Sequence, residues 1–241
     1  MKSNNEIGFW GETPEEYANL KEESRKTILF PAVLNILPLK EGVKVLDYGG
    51  GDGGFLDFIE SKIEKYLYDP SKGMIDFAKK NRSTIEHFYT SDEKLSIKYF
   101  DIVTLIHVVT VIKDDIELIR IFKKIRQLMK DDGTFIIGMT HPAFKNNYFS
   151  TFHTDFSTHK LDFDYLNNAL PYFVHLNTEK ANEFISFECF HRPISVVMNM
   201  LIESGFTISK VLEVEDKDFK EPNKKYYLPP FLIIESKIKS K

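Results

Sequence analysis

The spacing of apolar residues switches repeatedly between the tight runs of a buried strand and the three-to-four spacing of a helix. Val43-Lys44-Val45-Leu46 predicts a short strand running into the glycine-rich Asp47-Tyr48-Gly49-Gly50-Gly51-Asp52-Gly53-Gly54, with a helix from Phe55 to Ser61 behind it. Tyr66-Leu67-Tyr68 predicts a second strand that ends at Asp69-Pro70-Ser71, where Ser71 caps a helix carrying Met74, Ile75 and Ala78. A third strand follows at Ile85 to Phe88 and a stronger fourth at Phe100 to Ile106. From Asp114, apolar side chains at Leu118, Ile121, Phe122, Ile125, Leu128 and Met129 make one helical stripe, which stops at Asp131-Asp132-Gly133. Phe135-Ile136-Ile137 predicts the fifth strand.

Ahead of this alternation, Thr13 caps a helix from Pro14, and Glu16 completes a capping-box spacing. Tyr17, Leu20, Ile28, Leu29, Val33, Ile36 and Leu37 supply apolar faces across two helices broken near Pro31. After Pro142 the alternation lapses, then resumes with a helix from Pro193 to Ser204 closed by Gly205. Val211 to Val214 and Leu228 to Ile234 predict an antiparallel pair at one side of the sheet. Strands that alternate with helices predict an α/β fold, a doubly wound and mostly parallel sheet covered on both faces. The expected organisation is an N-terminal helical cover (1–40), a core made of 41–142 and 191–241, and an inserted cap (143–190).

Composition narrows the function. The net charge is -4, and only five of the 32 cationic residues are Arg. That excludes a strongly basic nucleic-acid surface. A lone cysteine, Cys189, excludes an internal disulfide or a multi-cysteine zinc site, and the histidines lack the carboxylate spacing of a metal centre. The segment from Met1 to Gly8 does not read as a signal peptide, and no apolar run has spanning length. The expectation is a cytoplasmic protein without membrane or nucleic-acid partners. Aromatic residues are 14% of the chain, and the segment from Phe144 to Phe190 holds twelve of them, with six acids against three lysines. Such a cover suits a small neutral or cationic substrate, aromatic in type, and its part from Lys145 to Asn168 is polar and irregular enough for a lid.

In an open α/β sheet, ligands bind beyond the carboxyl ends of the strands. Gly49, Gly51 and Gly53 let the backbone turn tightly and approach a ligand there, and the helix behind them turns its positive end toward it. The run fits two patterns, one for a dinucleotide pyrophosphate and one of the form D-x-G-x-G-x-G. Asp47 decides between them, because a carboxylate there repels a pyrophosphate and attracts an ammonium and a sulfonium. Asp69 ends the second strand, where an acid accepts from ribose hydroxyls.

Val45-Leu46-Asp47-x-Gly49-x-Gly51-x-Gly53, Asp69-Pro70-Ser71-x-x-Met74-x-x-x-Ala78, Phe100-Asp101-Ile102-Val103 and Leu128-Met129-Lys130-x-x-Gly133 stand in register from Trp10 to Pro142. Together they resemble a class I S-adenosylmethionine-dependent methyltransferase of the small-molecule type. The resemblance implies a Rossmann-like, seven-stranded sheet with an antiparallel last strand. It also implies that Asp47, Gly49, Gly51 and Gly53 hold the methionine end, that Asp69 holds the ribose, and that Pro70 or Met74 packs near the adenine. Where relatives carry Gly-Asp after the third strand, this chain reads Thr90-Ser91-Asp92-Glu93, which leaves the adenine amine to Ser91 or Asp92. Tyr17 resembles the N-terminal tyrosine that closes over the methionine end.

Methyl transfer from a sulfonium needs alignment, exclusion of water and, for some acceptors, a base. His107 follows the fourth strand and His141 the fifth, so either is placed for that role, and His107 also for cofactor contact. His191 stands at a helix start in a capping position, and Cys189 reads as packing. The sequence has no Asp-Pro-Pro-Tyr-like segment after the fourth strand, which excludes enzymes that methylate base or glutamine amines. The expected activity is methyl transfer to an oxygen or nitrogen of a small molecule. The alternatives are an NAD(P)-dependent oxidoreductase and a scaffold that binds the cofactor without catalysis.

Overall fold

A computed structural model of the 241-residue chain describes residues 15, 24–60, 62–144, 152–155, 163–177, 184–215 and 228–239. In chain order the strands are β1 (Lys44–Tyr48), β2 (Glu64–Tyr68), β3 (His87–Tyr89), β4 (Phe100–Ile106), β5 (Met129–Thr140), β6 (Phe152–Asp155), β7 (Leu170–Asn177), β8 (Phe184–His191), β9 (Phe206–Val214) and β10 (Phe231–Ile238). The helices are α1 (Phe30–Leu34), α2 (Lys72–Asn81), α3 (Asp115–Leu128) and α4 (Ile194–Glu203).

Seven strands form one sheet in the order β3-β2-β1-β4-β5-β10-β9. The first five are parallel, and β10 enters antiparallel between β5 and β9. This is the expected doubly wound, Rossmann-like sheet with an antiparallel last strand. The winding reverses between β1 and β4, so a crevice opens at their carboxyl ends. Each inner strand is apolar on both faces because each face has its own cover. Leu46, Val103, Phe135 and Ile234 pack with Phe122 of α3 and Leu201 of α4. Val45, Leu67, Ile102 and Ile233 pack on the other face with Leu29, Val33 and Ile75. Each such side chain contributes about 1.5–3 kcal/mol of burial.

Local chemistry fixes the helix ends. Ser71 Oγ accepts from Met74 N at 3.3 Å, and Asp114 Oδ1 accepts from Ile116 N at 2.8 Å. Gly205 takes φ +88 just beyond α4, the closing role expected of it.

The structure departs from the sequence reading in several places. The helix expected from Phe55 to Ser61 is a single 3-10 turn, Leu56–Phe58, and Ile59 is already extended. Phe55, Leu56 and Ile59 are all buried, so this short segment presents no polar face to carry a helix outward. Three residues carry no useful helix dipole, and the ligand-facing charge must come from side chains. Near Pro31 the chain does not break. A π turn, Arg25–Leu29, passes directly into α1. A proline removes one N–H and crowds the carbonyl a turn earlier, and a wider π turn accommodates both. α3 ends at Leu128 rather than at the Asp-Asp-Gly segment, because Met129 pairs with Phe100 and Lys130 Nζ reaches Asp101 Oδ1 at 2.6 Å. The third strand lies at His87–Tyr89, later than expected. The helix expected from Pro14 lies outside the described residues apart from Glu15.

The segment after β5 contains a second sheet, β6-β7-β8, antiparallel throughout. Tyr172, Val174 and Leu176 of β7, with Phe187 and Cys189 of β8, belong to the same hydrophobic core as Val45 and Leu67. The cap is thus built into the fold. His191 ends β8 and does not cap α4; its Nε2 lies 2.8 Å from Tyr165 O, while the Tyr165 hydroxyl accepts from Ile194 N at 3.2 Å. No helix among the described residues is long and apolar enough to cross a membrane.

Arg192 fastens cap, crevice loop and α3 together. It is 1% exposed, and its guanidinium donates to Asp115 Oδ1 (2.8 Å), Val109 O (2.9 Å) and Lys113 O (3.0 Å). Arg192→Leu orphans two carbonyls and one carboxylate, an expected loss of about 3 kcal/mol in urea unfolding. An unchanged denaturation midpoint would show that the loop holds without it.

Candidate active site

β1 delivers Asp47 to the crevice, where it is 1% exposed. Its Oδ1 accepts from Thr104 Oγ1 at 2.8 Å, since the two residues are register partners on β1 and β4. Burial pushes the Asp47 carboxyl up to about 7; the Thr104 hydrogen bond and the Arg25 charge oppose this, and the negative charges of Asp69 and Asp52 add to it. The chain then turns through Gly49 (φ +73) and Gly51 (φ +56), with Gly49 N donating to Tyr68 O at 2.7 Å. Gly50 lies against the Asp47 carboxylate so closely that a Cβ would collide with it.

Asp69, 9% exposed, braces this loop. Its Oδ2 accepts from Gly51 N at 2.9 Å and its Oδ1 from Ser71 N at 2.8 Å. Burial pushes it up to about 6, against the pull of the two backbone N–H groups. Each carboxylate oxygen keeps a second lone pair for a ligand hydroxyl. Asp52 is neutralised by Arg82, which also donates from Nε to Asp52 O at 3.0 Å.

These groups line a cavity of about 480 Å3. Gly49, Gly50, Gly51, Asp69, Pro70 and Met74 form one side, and Val174, Leu176, Phe187 and Cys189 of the cap sheet form the other. Phe30, Phe55 and Phe231 fill the wall between them, and Arg25, His107, Thr140 and Lys113 supply its polar points.

His107 sits at the carboxyl end of β4 with φ +60, a left-handed conformation that costs a non-glycine residue about 1–3 kcal/mol. Its backbone N donates to Gly138 O at 2.7 Å, and its ring meets Phe231 edge-on at 5.9 Å. Burial, reinforced by the Arg25 charge, pushes the imidazole down to about 3. It is therefore neutral at physiological pH and a weak base.

Several expected site residues are elsewhere. His141 does not line the cavity; its Nδ1 accepts from Ala143 N at 3.1 Å, which leaves the Nε2 proton for Glu213 Oε1 at 3.0 Å. Both ring nitrogens are thus taken by the exit from the sheet. Ser91 and Asp92 also stand off the cavity, because Asp92 Oδ2 accepts from the Tyr48 hydroxyl at 2.6 Å and faces Arg120 at 3.7 Å. Gly53 is absent from the lining as well. With φ +74 and Ile85 Cδ1 2.7 Å from the position of a Cβ, it is a packing glycine. Tyr17 lies outside the described residues. Sequence reasoning missed Thr104, whose signal was a polar residue in an apolar strand, and Gly50, whose signal was the glycine run itself. It also missed Arg25, for which a lone arginine in a helical segment gave no pattern.

The sheet order and the crevice at the reversal of winding define a Rossmann-like fold of the class I methyltransferase kind. A family model described as Methyltransferase domain matches residues 21–177, and the chain belongs to that family. It is a class I S-adenosylmethionine-dependent methyltransferase, an enzyme whose cofactor is S-adenosylmethionine. Among solved structures it resembles the S-adenosylmethionine-dependent methyltransferase from Mesorhizobium loti, at 21% identity over 86% of this chain and 96% of that one, with a TM-score of 0.61. The DhpI–SAH complex gives 15% identity over 98% and 97%, with a TM-score of 0.62. The CcbJ methyltransferase from Streptomyces caelestis gives 14% over 95% and 96%, with a TM-score of 0.61. At these identities the likeness speaks for the fold. No curated protein matches the chain.

The residues present fit the cofactor. An added Cβ at Gly51 would meet nothing within 4 Å, so backbone alone faces open space there, and a carboxylate held near neutrality waits beside it for a cation. Ionised Asp47 favours a cationic ligand, so affinity for S-adenosylmethionine is expected to rise roughly tenfold from pH 6 to pH 8. Stability runs the other way. A carboxyl raised from 3.8 to about 7 binds its proton better folded than unfolded, so its contribution is full below 3.8 and is lost as pH rises through about 7. The native chain minus Asp47→Asn should show both trends, by calorimetry and by melting temperature. A pH-independent difference would overturn the role of this carboxyl.

Gly50→Ala puts a methyl group against Asp47 and is expected to reduce cofactor affinity at least about tenfold while costing about 1–3 kcal/mol of stability. Calorimetry and urea unfolding on the same variant check the two effects.

Proposed function

We propose that the chain transfers the methyl group of S-adenosylmethionine to an oxygen or nitrogen of a small molecule, aromatic in type and neutral or cationic in solution. The observation that carries this reading is that cofactor loop and cap face one chamber: Asp69 and the glycines stand on one side, Val174, Leu176 and Phe187 on the other. The cap's inner face belongs to the hydrophobic core, so it cannot swing aside for a folded macromolecule without exposing that core. Phe30, Phe55, Phe187 and Phe231 suit a flat apolar acceptor.

By this reading Asp47 and the backbone of Gly49 and Gly51 hold the methionine end, Asp69 holds the ribose, and Pro70 and Met74 flank the adenine. S-adenosylmethionine supplies a methyl group already activated on a sulfonium. The chain's own task is to align the acceptor and exclude water. His107 lines the chamber and orients the acceptor as a neutral hydrogen-bonding group.

Removing the Asp69 carboxylate takes away charged hydrogen bonds of about 1.5–3 kcal/mol each. Asp69→Ala is therefore expected to weaken S-adenosylhomocysteine binding at least about tenfold, whereas His141→Ala leaves it within about twofold. Equal losses in calorimetry would sink this division of roles. Incubation with radiolabelled S-adenosylmethionine and a panel of phenols and amines is expected to label a small molecule. Label that appears only in RNA or protein would refute the reading.

A further inference from the structure

We propose that the acceptor is a weak oxygen acid, a phenol or enol, taken up as its oxyanion between the Arg25 guanidinium and the His107 ring. The inference rests on the methyl-transfer reading above and deepens it by selecting oxygen over nitrogen.

Two backbone irregularities, far apart in sequence, flank this point of the chamber. Arg25 opens the π turn Arg25–Leu29, is only 8% exposed, and lines the cavity. Its charge acts on Asp47 on one side and on His107 on the other, and its guanidinium carbon lies 5.4 Å from the Phe30 ring centroid. His107 holds its left-handed backbone at the end of β4. Short π turns and left-handed non-glycine residues are uncommon and concentrate at functional sites.

The distribution of charge separates the two halves of the chamber. Asp47, Asp52 and Asp69 come from the ends of β1 and β2, the half assigned to the cofactor, and Asp52 is already paired with Arg82. Asp114 and Glu117 stand at the start of α3, where Asp114 caps the helix and Glu117 holds Arg120. The half beyond His107 is built from Phe231, Val174 and the Cys189 thiol, with Thr140 beside them. The buried charge bordering that half is the Arg25 cation, and Lys113 is the other cation of the lining. A guanidinium at a low-dielectric wall favours an oxyanion and disfavours an ammonium. Neutral His107 brings one N–H donor and does not compete for the acceptor's proton.

This arrangement needs no general base. The phenolic proton leaves to water as the oxyanion settles against Arg25. The oxygen then forms its bond to the methyl carbon while the methyl–sulfur bond breaks with its electron pair on sulfur, leaving a neutral ether and a neutral thioether.

The test uses 4-nitrophenol, which absorbs visible light as its anion, titrated in complex with the enzyme and S-adenosylhomocysteine. The bound phenol is expected to ionise about one pH unit below the free phenol. Arg25→Gln should return the midpoint to the free value, and Arg25→Lys should restore most of the shift. All three chains should bind S-adenosylhomocysteine within about threefold of one another. A midpoint unmoved by binding, or one that Arg25→Gln leaves in place, overturns the proposal. So does a loss of S-adenosylhomocysteine affinity of about tenfold or more in Arg25→Gln, which assigns the guanidinium to the cofactor's carboxylate instead. In turnover, methylation of amines without phenols overturns the oxyanion proposal and leaves the methyltransferase reading intact. Transfer to neither class overturns both.

Discussion

The site is organised by a carboxylate that the central strand carries into the protein interior. Burying a carboxyl is costly unless its neighbours compensate, and Asp47 is compensated only in part. Thr104 donates to it from the adjacent strand, which ties the register of β1 and β4 to the chemistry of the crevice. Gly50 has no side chain because the carboxylate occupies the space. Arg25 approaches from the other side of the chamber with the opposing charge. What remains uncompensated is the raised affinity for a proton, and a cationic ligand relieves it in the same way a proton does.

The second constraint is mechanical. The crevice loop from His107 to Lys113 faces the glycine loop on one side and the cap on the other. Phe190 N donates to Thr110 O at 2.7 Å, and Arg192 clamps Val109 O and Lys113 O from below β8. A displacement of the cap is therefore transmitted to the loop that borders the cofactor. The shared core gives the coupling a physical basis, since close-packed side chains transmit strain rather than absorb it.

Much of the fold was legible because it is written in local periods. The strands at Val45, Tyr66 and Ile102, the stripe of α3, the Ser71 cap and the antiparallel pair at the end all follow from spacing and capping residues. The cap sheet escaped because its strands alternate inward Tyr172, Val174 and Leu176 with outward Phe173 and His175, so aromatic and polar residues blur the two faces. The helix behind the glycine loop failed to form because Phe55, Leu56 and Ile59 are all drawn inward.

The sequence by itself determined the sheet, its direction of winding and the loop that meets the cofactor, because periodicity, capping residues and glycines act over a few residues. Asp47, Gly49, Gly51, Asp69, Pro70, Met74 and His107 arrive at the cavity as their positions at strand ends require. Only the tertiary structure decided the rest of its wall. It brought in Arg25 and the cap, tied His141 to Glu213, and tied Asp92 to Tyr48. A buried polar group takes whichever partner the packing of distant segments sets beside it, and no local pattern records that choice.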